Sequence, residues 1–390
     1  MRRLPALFCL LLLGLTTGCD FFTSQSDCTD CTTTGDYLYV ANGNNTYLAG
    51  FGVSTAGALS LLPSSPYNNG VAAQSLAITP TNTFLYVATT SGIFCYLINS
   101  DGSITIQNSG SAVAADVVAT SMQVDSTGNY LLAAGISTSI AAQAIGIYQI
   151  NTSTGLLTAL TGSPLALYTG NGTTATVVTP TAMLITPNNS YVYVSLQSLG
   201  VQVLTLGTGG ALSTGTTPTF LPPKSTSTSP QDYGLASDPS SKFLFVCEFN
   251  TGLRVLSIGT NGTLNEITGS PYATGTGPTG VVLDPTGSYV YVANKGSNNI
   301  SAFTLTLASG KLAVVSGSPF SSGGQQPIAL VNENQKTYLA VINSGSNGSS
   351  GNSDLQLFKF DATVDGKLDP IATATTGTDP TNPTAITATF

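Results

Sequence analysis

The chain has no tryptophan, no histidine and only 3 methionines, and its 390 residues include only 10 Lys and Arg against 18 Asp and Glu. Without His there is no Ser-His-Asp relay and no imidazole metal ligand. No Gly-x-Ser-x-Gly elbow and no Gly-rich phosphate loop ahead of a helix occurs either. With charged residues at 7%, long solvated helices are excluded, since those depend on Lys, Glu and Arg. Loss of Arg2 and Arg3 with a leader leaves 8 basic residues against 18 acidic, a formal balance of −10, and Arg254 as the single arginine. Such a surface cannot displace counterions from nucleic acid, and it suits neither phosphate-rich ligands nor anionic head groups. What the sequence has instead is 42 Gly, 20 Pro, many Ser and Thr, and 42% hydrophobic residues. Residues that favour strands and turns dominate, so the expected class is all-β.

Residues 1–18 have the form of a signal peptide: Arg2 and Arg3 precede an apolar stretch, Leu4 to Leu15, too short to span a bilayer. Leu15-Thr16-Thr17-Gly18-Cys19 is similar to a bacterial lipobox, with Thr16 where Leu is usual, and predicts lipidation at Cys19. Thr16 and Gly18 also suit cleavage by an ordinary signal peptidase, and both readings export the protein. The expected location is therefore the bacterial cell envelope, periplasm or surface, with the membrane reached only through a lipid anchor on a 19–35 tether. Cys9 leaves with the leader, so Cys28, Cys31, Cys95 and Cys247 remain. Cys28 and Cys31 have Cys-x-x-Cys spacing in a polar tether, which fits a local disulfide, free thiols, or a redox or zinc pair. Cys95 and Cys247 sit within apolar strand runs and read as small core residues. No cofactor and no metal site is expected, since no set of carboxylates converges by spacing.

One unit recurs along the chain. Pro278-Thr-Gly-Val-Val-Leu is a strand, Asp284-Pro-Thr-Gly287 a turn with Pro fixing φ and Gly free to take a positive φ, and Tyr289-Val-Tyr-Val-Ala-Asn a second strand. In the second strand Tyr289, Tyr291 and Ala293 share one face and Val290 and Val292 the other. Its equivalents begin at Tyr37, Phe84, Tyr130, Tyr191, Phe243, Tyr289 and Tyr338, with spacings of 47, 46, 61, 52, 46 and 49 residues. Asp125, Asp238 and Asp284 recur at one repeat position and are expected to form turns. A fourth strand exits through Ser65-Pro66-Tyr67, Ser163-Pro164-Leu165, Ser270-Pro271-Tyr272 and Ser318-Pro319-Phe320. Seven four-stranded units of this length predict a seven-bladed β-propeller over residues 36–390. The C-terminal Pro383-Thr-Ala-Ile-Thr-Ala-Thr-Phe390 aligns with the first strand of the unit, whereas the first copy lacks it. The two chain ends are therefore expected to share one blade. The 61-residue spacing predicts extra loop at Ile136 to Ala144 and Leu165 to Val178, and Phe220 to Gln231 reads as another long loop.

The second-strand repeat Tyr289-Val-Tyr-Val-Ala-Asn-Lys-Gly-Ser-Asn-Asn-Ile-Ser-Ala-Phe and its six relatives resemble the lactonase-type seven-bladed propellers, which include bacterial 6-phosphogluconolactonases and fungal muconate cycloisomerases. The resemblance spans residues 36–390 and implies the fold; a fold of this kind hosts many functions. Lactonase members of the family share Pro-Arg-His at the start of one inner strand and Asn-Glu on the next strand. The comparable positions here carry Ser229-Pro230-Gln231-Asp232-Tyr233-Gly234 and Phe243-Leu-Phe-Val-Cys247-Glu248. Arg and His are missing, and Glu248 falls one place early, level with Asn294. Lactone hydrolysis needs a base and a donor for the oxyanion. The candidates are Glu248 as base, with Gln231, Asp232 and Arg254 as binding residues.

Two functions follow. The leading one is a non-catalytic envelope module that binds a protein, peptide or glycan across one rim. The alternative is a divergent lactone hydrolase using Glu248 without His. A polar channel mouth lined by Gln231, Asp232, Glu248 and Arg254 favours the second, and an apolar mouth weakens it.

Overall fold

The computed structural model describes residues 35–43, 46–168, 177–214, 219–224, 232–345, 354–376 and 382–390, the side chains of Thr219 and Asp232 excepted. Seven antiparallel sheets follow one another along the chain, each a meander of four main strands. Counting the sheet that holds both chain ends as blade 1, the inner strands are Pro383–Ala388, Ala73–Ile78, Val117–Val124, Ala182–Ile185, Asp232–Ser237, Pro278–Leu283 and Pro327–Asn332. Each inner strand contacts those of the blades on either side, and the contacts close into a ring around a central channel. Helix is confined, among the described residues, to single 3-10 turns at Asn108–Gly110 and Thr208–Gly210. The chain is a seven-bladed β-propeller.

The second strands begin at the seven aromatic residues the repeat marks. They are nearly buried throughout because each lies between two neighbouring blades, so they read as apolar runs. Alternate residues enter different cores: Tyr291 packs with Leu339 and Val341 of blade 7, while Val290 and Val292 pack with Phe243 and Phe245 of blade 5. Seven such cores, one per blade interface, replace a single central core. Tyrosine hydroxyls in these layers reach across to carbonyls of the next blade's outer hairpin. Tyr39 donates to Gly102 at 2.7 Å, Tyr86 to Gly155 at 2.9 Å and Tyr291 to Gly366 at 3.0 Å. A buried hydroxyl left unpaired costs about 1–3 kcal/mol, so these bonds make the ring diameter specific as well as stable.

The expected turn role of the aspartates holds and extends to every blade. Asp284 Oδ1 accepts the amides of Ser288 and Tyr289, both at 2.7 Å, and Asp125 and Asp238 do the same for their own second strands. Glu333, Thr79 and Thr186 fill the same station in blades 7, 2 and 4. In blade 1 the turn is the gap between the chain ends, and there Thr389 Oγ1 accepts the Tyr37 amide at 2.9 Å. Pro383–Ala388 pairs antiparallel with Tyr37–Asn42, so the expected shared blade is present.

The four Ser-Pro serines each accept an amide of their blade's third strand, for example Val255 to Ser270 at 3.0 Å and Ala302 to Ser318 at 2.9 Å. Residues 136–144 hold a five-residue turn, 138–142, at the tip of an extended hairpin in which Tyr130–Ser137 pairs with Gln143–Ile150. The loop expected there is shorter than its expected bounds because the flanking residues pair, and added pairing costs less than ordering an unpaired loop. At the other two expected loops, Leu165–Ala166 and Thr219–Leu221 are short strands paired to the third strands of blades 3 and 4. Residues 169–176 and 225–231 lie outside the described residues, as do the signal segment, Cys19, Cys28 and Cys31. Cys95 and Cys247 are buried core residues in no disulfide, as expected, and burial pushes the Cys95 thiol up to about 12.

Candidate functional site

Glu248 ends the second strand of blade 5, a position that every blade fills with a buried polar residue: Asn42, Thr89, Ser137, Ser195, Glu248, Asn294 and Asn343. In other blades this residue anchors loop backbone, as when Asn42 Nδ2 donates to the Thr376 carbonyl at 2.8 Å and Asn343 Nδ2 to Ser322 at 3.1 Å. Glu248 does likewise, accepting the Lys224 amide at 3.1 Å and the Thr251 hydroxyl at 2.8 Å. Its carboxylate is 0% exposed and lies 3.4 Å from Arg254 Nη1. Arg254, from the third strand, also donates to the Pro222 carbonyl at 2.9 Å and sits 3.5 Å from Glu266, which Lys224 meets at 2.9 Å. Burial pushes the Glu266 carboxyl up, but hydrogen bonds from Lys224 and Ser270 and the two nearby cations outweigh it and hold it below its ordinary value. Arg254 Nε has no hydrogen-bond partner among the described residues. The structure thus brings Glu248 and Arg254 together, as a buried ion-pair node that closes the segment leading into blade 5.

Glu248 and Arg254 line neither cavity of the channel. Of the other two sequence candidates, Gln231 lies outside the described residues, and Asp232 is described only in its backbone, which pairs with Glu248. Among the described residues no group of three or more His, Cys, Asp or Glu is placed to hold a metal ion.

Two cavities lie along the channel. Where the inner strands begin, a mouth of about 510 Å³ is lined by Tyr233, Leu235, Thr279, Val281, Lys295 and Leu330, among others. Where they end, a cavity of about 780 Å³ runs past Met122, Leu184 and Leu283 to a rim that includes Pro80, Pro187, Pro239 and Pro285. Leu235 and Val281 line both.

The first mouth is built by a repeated irregularity. In blades 1, 2, 3, 5, 6 and 7 the pairing of inner and second strand slips by one residue near its start; Thr384, Gln74, Thr120, Thr279 and Ile328 are the unpaired bulge residues of blades 1, 2, 3, 6 and 7, and in blade 5 the slip falls between Asp232 and Leu235. A bulge re-aims its side chain. Here three threonines bridge to the next blade: Thr120 Oγ1 donates to the Pro180 carbonyl at 2.7 Å, Thr384 to Ala73 at 3.0 Å and Thr279 to Pro327 at 3.2 Å. The strands come close enough that a Cβ on Gly234 would lie 2.6 Å from the Thr279 carbonyl oxygen, so the mouth admits no larger residue there without moving backbone. Tyr233 packs against Phe249 with ring centroids 5.6 Å apart, and loss of hydration raises its phenol above the ordinary value. Lys295 follows the second strand of blade 6, its amide fixed on the Gly277 carbonyl at 2.8 Å. Sequence reasoning missed this mouth. Its visible signal was the Pro-Thr pair opening three inner strands, at 180–181, 278–279 and 383–384.

Residues 177–330 match the family described as lactonase, 7-bladed beta-propeller. No curated protein matches the chain. Among solved structures, it is similar to the periplasmic gluconolactonase PpgL of Pseudomonas aeruginosa, at 16% identity and a TM-score of 0.67, over 91% of this chain and 99% of that one. A candidate 6-phosphogluconolactonase of Bacteroides uniformis gives the same identity and TM-score over 90% and 99%. A protein of Lactobacillus plantarum matches at 16% and 0.66 over 90% and 99%. At these identities the likeness is one of fold.

Proposed function

We propose that this chain is a lactonase-type propeller of the bacterial cell envelope that binds a ligand at the channel mouth where its inner strands begin, without hydrolysing it. The observation that carries this reading is the contrast between the two candidate regions. The mouth offers a shaped, largely apolar cavity with threonine, tyrosine and lysine side chains, as binding sites do. The acid that a hydrolase would need, Glu248, is sealed in an ion-pair node at a station that other blades fill with Asn, Ser or Thr. A general base must come within hydrogen-bond reach of the attacking water, and the described lining of the mouth holds no carboxylate or imidazole. Export through residues 1–18 and anchoring at Cys19 are part of the proposal and rest on the sequence alone. The periplasmic location of the gluconolactonase PpgL is consistent with them.

The alternative, a His-free lactonase, is favoured by the lactonase match over residues 177–330. Hydrolysis of a panel of sugar and aromatic lactones by the purified propeller separates the two. We expect no turnover above buffer for the wild type or for Glu248→Gln. Turnover that disappears in Glu248→Gln would overturn the binding reading.

A further inference from the structure

We propose that the ligand of this mouth is a small monocarboxylate with an apolar or aromatic body, and that Lys295 anchors its carboxylate. The inference rests on the binding reading above and adds the ligand's chemistry. Lys295 is the charged residue of the described lining, in a protein with a formal charge of −8. The residues that follow the other six second strands are Gly43, Thr90, Thr138, Leu196, Phe249 and Ser344, so the cation is peculiar to blade 6. No acid pairs with it among the described residues, as is also true of Lys242, Lys311, Lys336 and Lys359, whereas Lys224, Arg254 and Lys367 have carboxylate partners; of these unpaired lysines Lys295 is the one in the described lining of the mouth. Its backbone is held firmly: Lys295 N donates to Gly277 and Gly296 N to Thr276, at 2.8 and 2.9 Å. A partly buried lysine with a fixed backbone and no partner among the described residues favours an anion brought by a ligand.

The rest of the lining selects against a polyol. A sugar needs many hydrogen-bond donors and acceptors, yet the hydroxyl protons of Thr120, Thr279 and Thr384 are already committed to carbonyls of the next blade. Leu235, Val281, Ile328, Leu330 and the Tyr233 ring instead present apolar surface beside Lys295. Burying polar groups without partners is costly, and burying an apolar body there is favourable. A volume of about 510 Å³ suits a single small ligand.

The test is calorimetric titration of the whole propeller with 3-phenylpropanoate, its neutral amide 3-phenylpropanamide, and gluconate. Two variants accompany it: Lys295→Gln, and Ala182→Trp, which fills the mouth. We expect phenylpropanoate to bind at least about tenfold more tightly than the amide, a charge-assisted bond's worth of preference. Lys295→Gln should erase that preference, Ala182→Trp should abolish binding, and gluconate should be the weakest of the three. A preference that survives Lys295→Gln, or phenylpropanoate binding that survives Ala182→Trp, overturns the inference. Gluconate bound more tightly than phenylpropanoate, and lost in Ala182→Trp, overturns the ligand class while leaving the mouth a binding site. Binding of every probe unaffected by Ala182→Trp overturns both. Circular dichroism melts of the two variants exclude misfolding as the cause of lost binding.

Discussion

Asp36 stands just before the second strand of blade 1 and faces Glu333 of blade 7 across the seam where the ring closes. Both are buried, and Asp36 Oδ1 has no hydrogen-bond partner among the described residues. Burial first, and then the Glu333 carboxylate, raise the Asp36 carboxyl to about 7. Its value in the unfolded chain is near the ordinary ~4, so the folded state binds the extra proton. The stability this provides is complete below about pH 4 and is lost as pH rises toward 7. Asp36→Asn should therefore be more stable than wild type at pH 8, by at least about 2 kcal/mol, with the difference vanishing near pH 4. Urea unfolding at the two pH values checks this; equal differences at both would show that the seam carries no shared proton. At the same scale, the level of Glu248 with Asn294 was legible from the repeat, and the register Asp232 to Glu248, matching Pro278 to Asn294, agrees with it. The burial of its carboxylate against the Lys224 amide was not, because that contact comes from the segment ahead of blade 5.

At the scale of the element, the turn between inner and second strand is a device that six blades share and that Thr389 imitates across the chain ends in blade 1. Asp284 gathers the amides of Thr286, Ser288 and Tyr289 on its two oxygens. Asp284→Ala should destabilise the propeller by roughly 1–3 kcal/mol, since charged hydrogen bonds to backbone are lost at once. Asp284→Thr should cost less than half as much, because Thr79 and Thr186 already serve this station in blades 2 and 4. Thermal melts of the two variants decide it, and equal losses would remove the turn-capping explanation. The turn was legible because Asp-Pro-Thr-Gly is a local signal. The second strands were legible for a related reason, their aromatic starts and twofold alternation being local too. The channel mouth was not. Its bulges depend on how two strands slip against each other, and the Pro-Thr pairs that open three inner strands do not by themselves show where the pairing slips. The loop expected at 136–144 narrows to 138–142 because a long repeat spacing does not say which of the extra residues pair.

The whole molecule is a ring whose single covalent break is bridged by ordinary strand pairing. Leu38, Tyr39, Val40 and Ala41 are almost fully buried, and Ala385, Ile386, Thr387 and Ala388 pair with them. Thr389 completes the missing turn by accepting the Tyr37 amide and donating to the Gly35 carbonyl at 2.7 Å. Thr384 ties the same strand onward to blade 2. Each other blade can lose one hydrogen bond and remain joined through the chain, but blade 1 depends on this segment for its inner strand. Removal of residues 383–390 should expose an unpaired, apolar strand edge and open the ring, lowering the melting temperature by about 10 °C or more and promoting self-association through that edge. Adding the octapeptide in trans should restore part of the loss by binding the folded state. Calorimetry and sedimentation of the truncated protein, with and without peptide, test both halves of the argument. An unchanged melting temperature would mean that the seven interface cores hold the ring closed without its last strand.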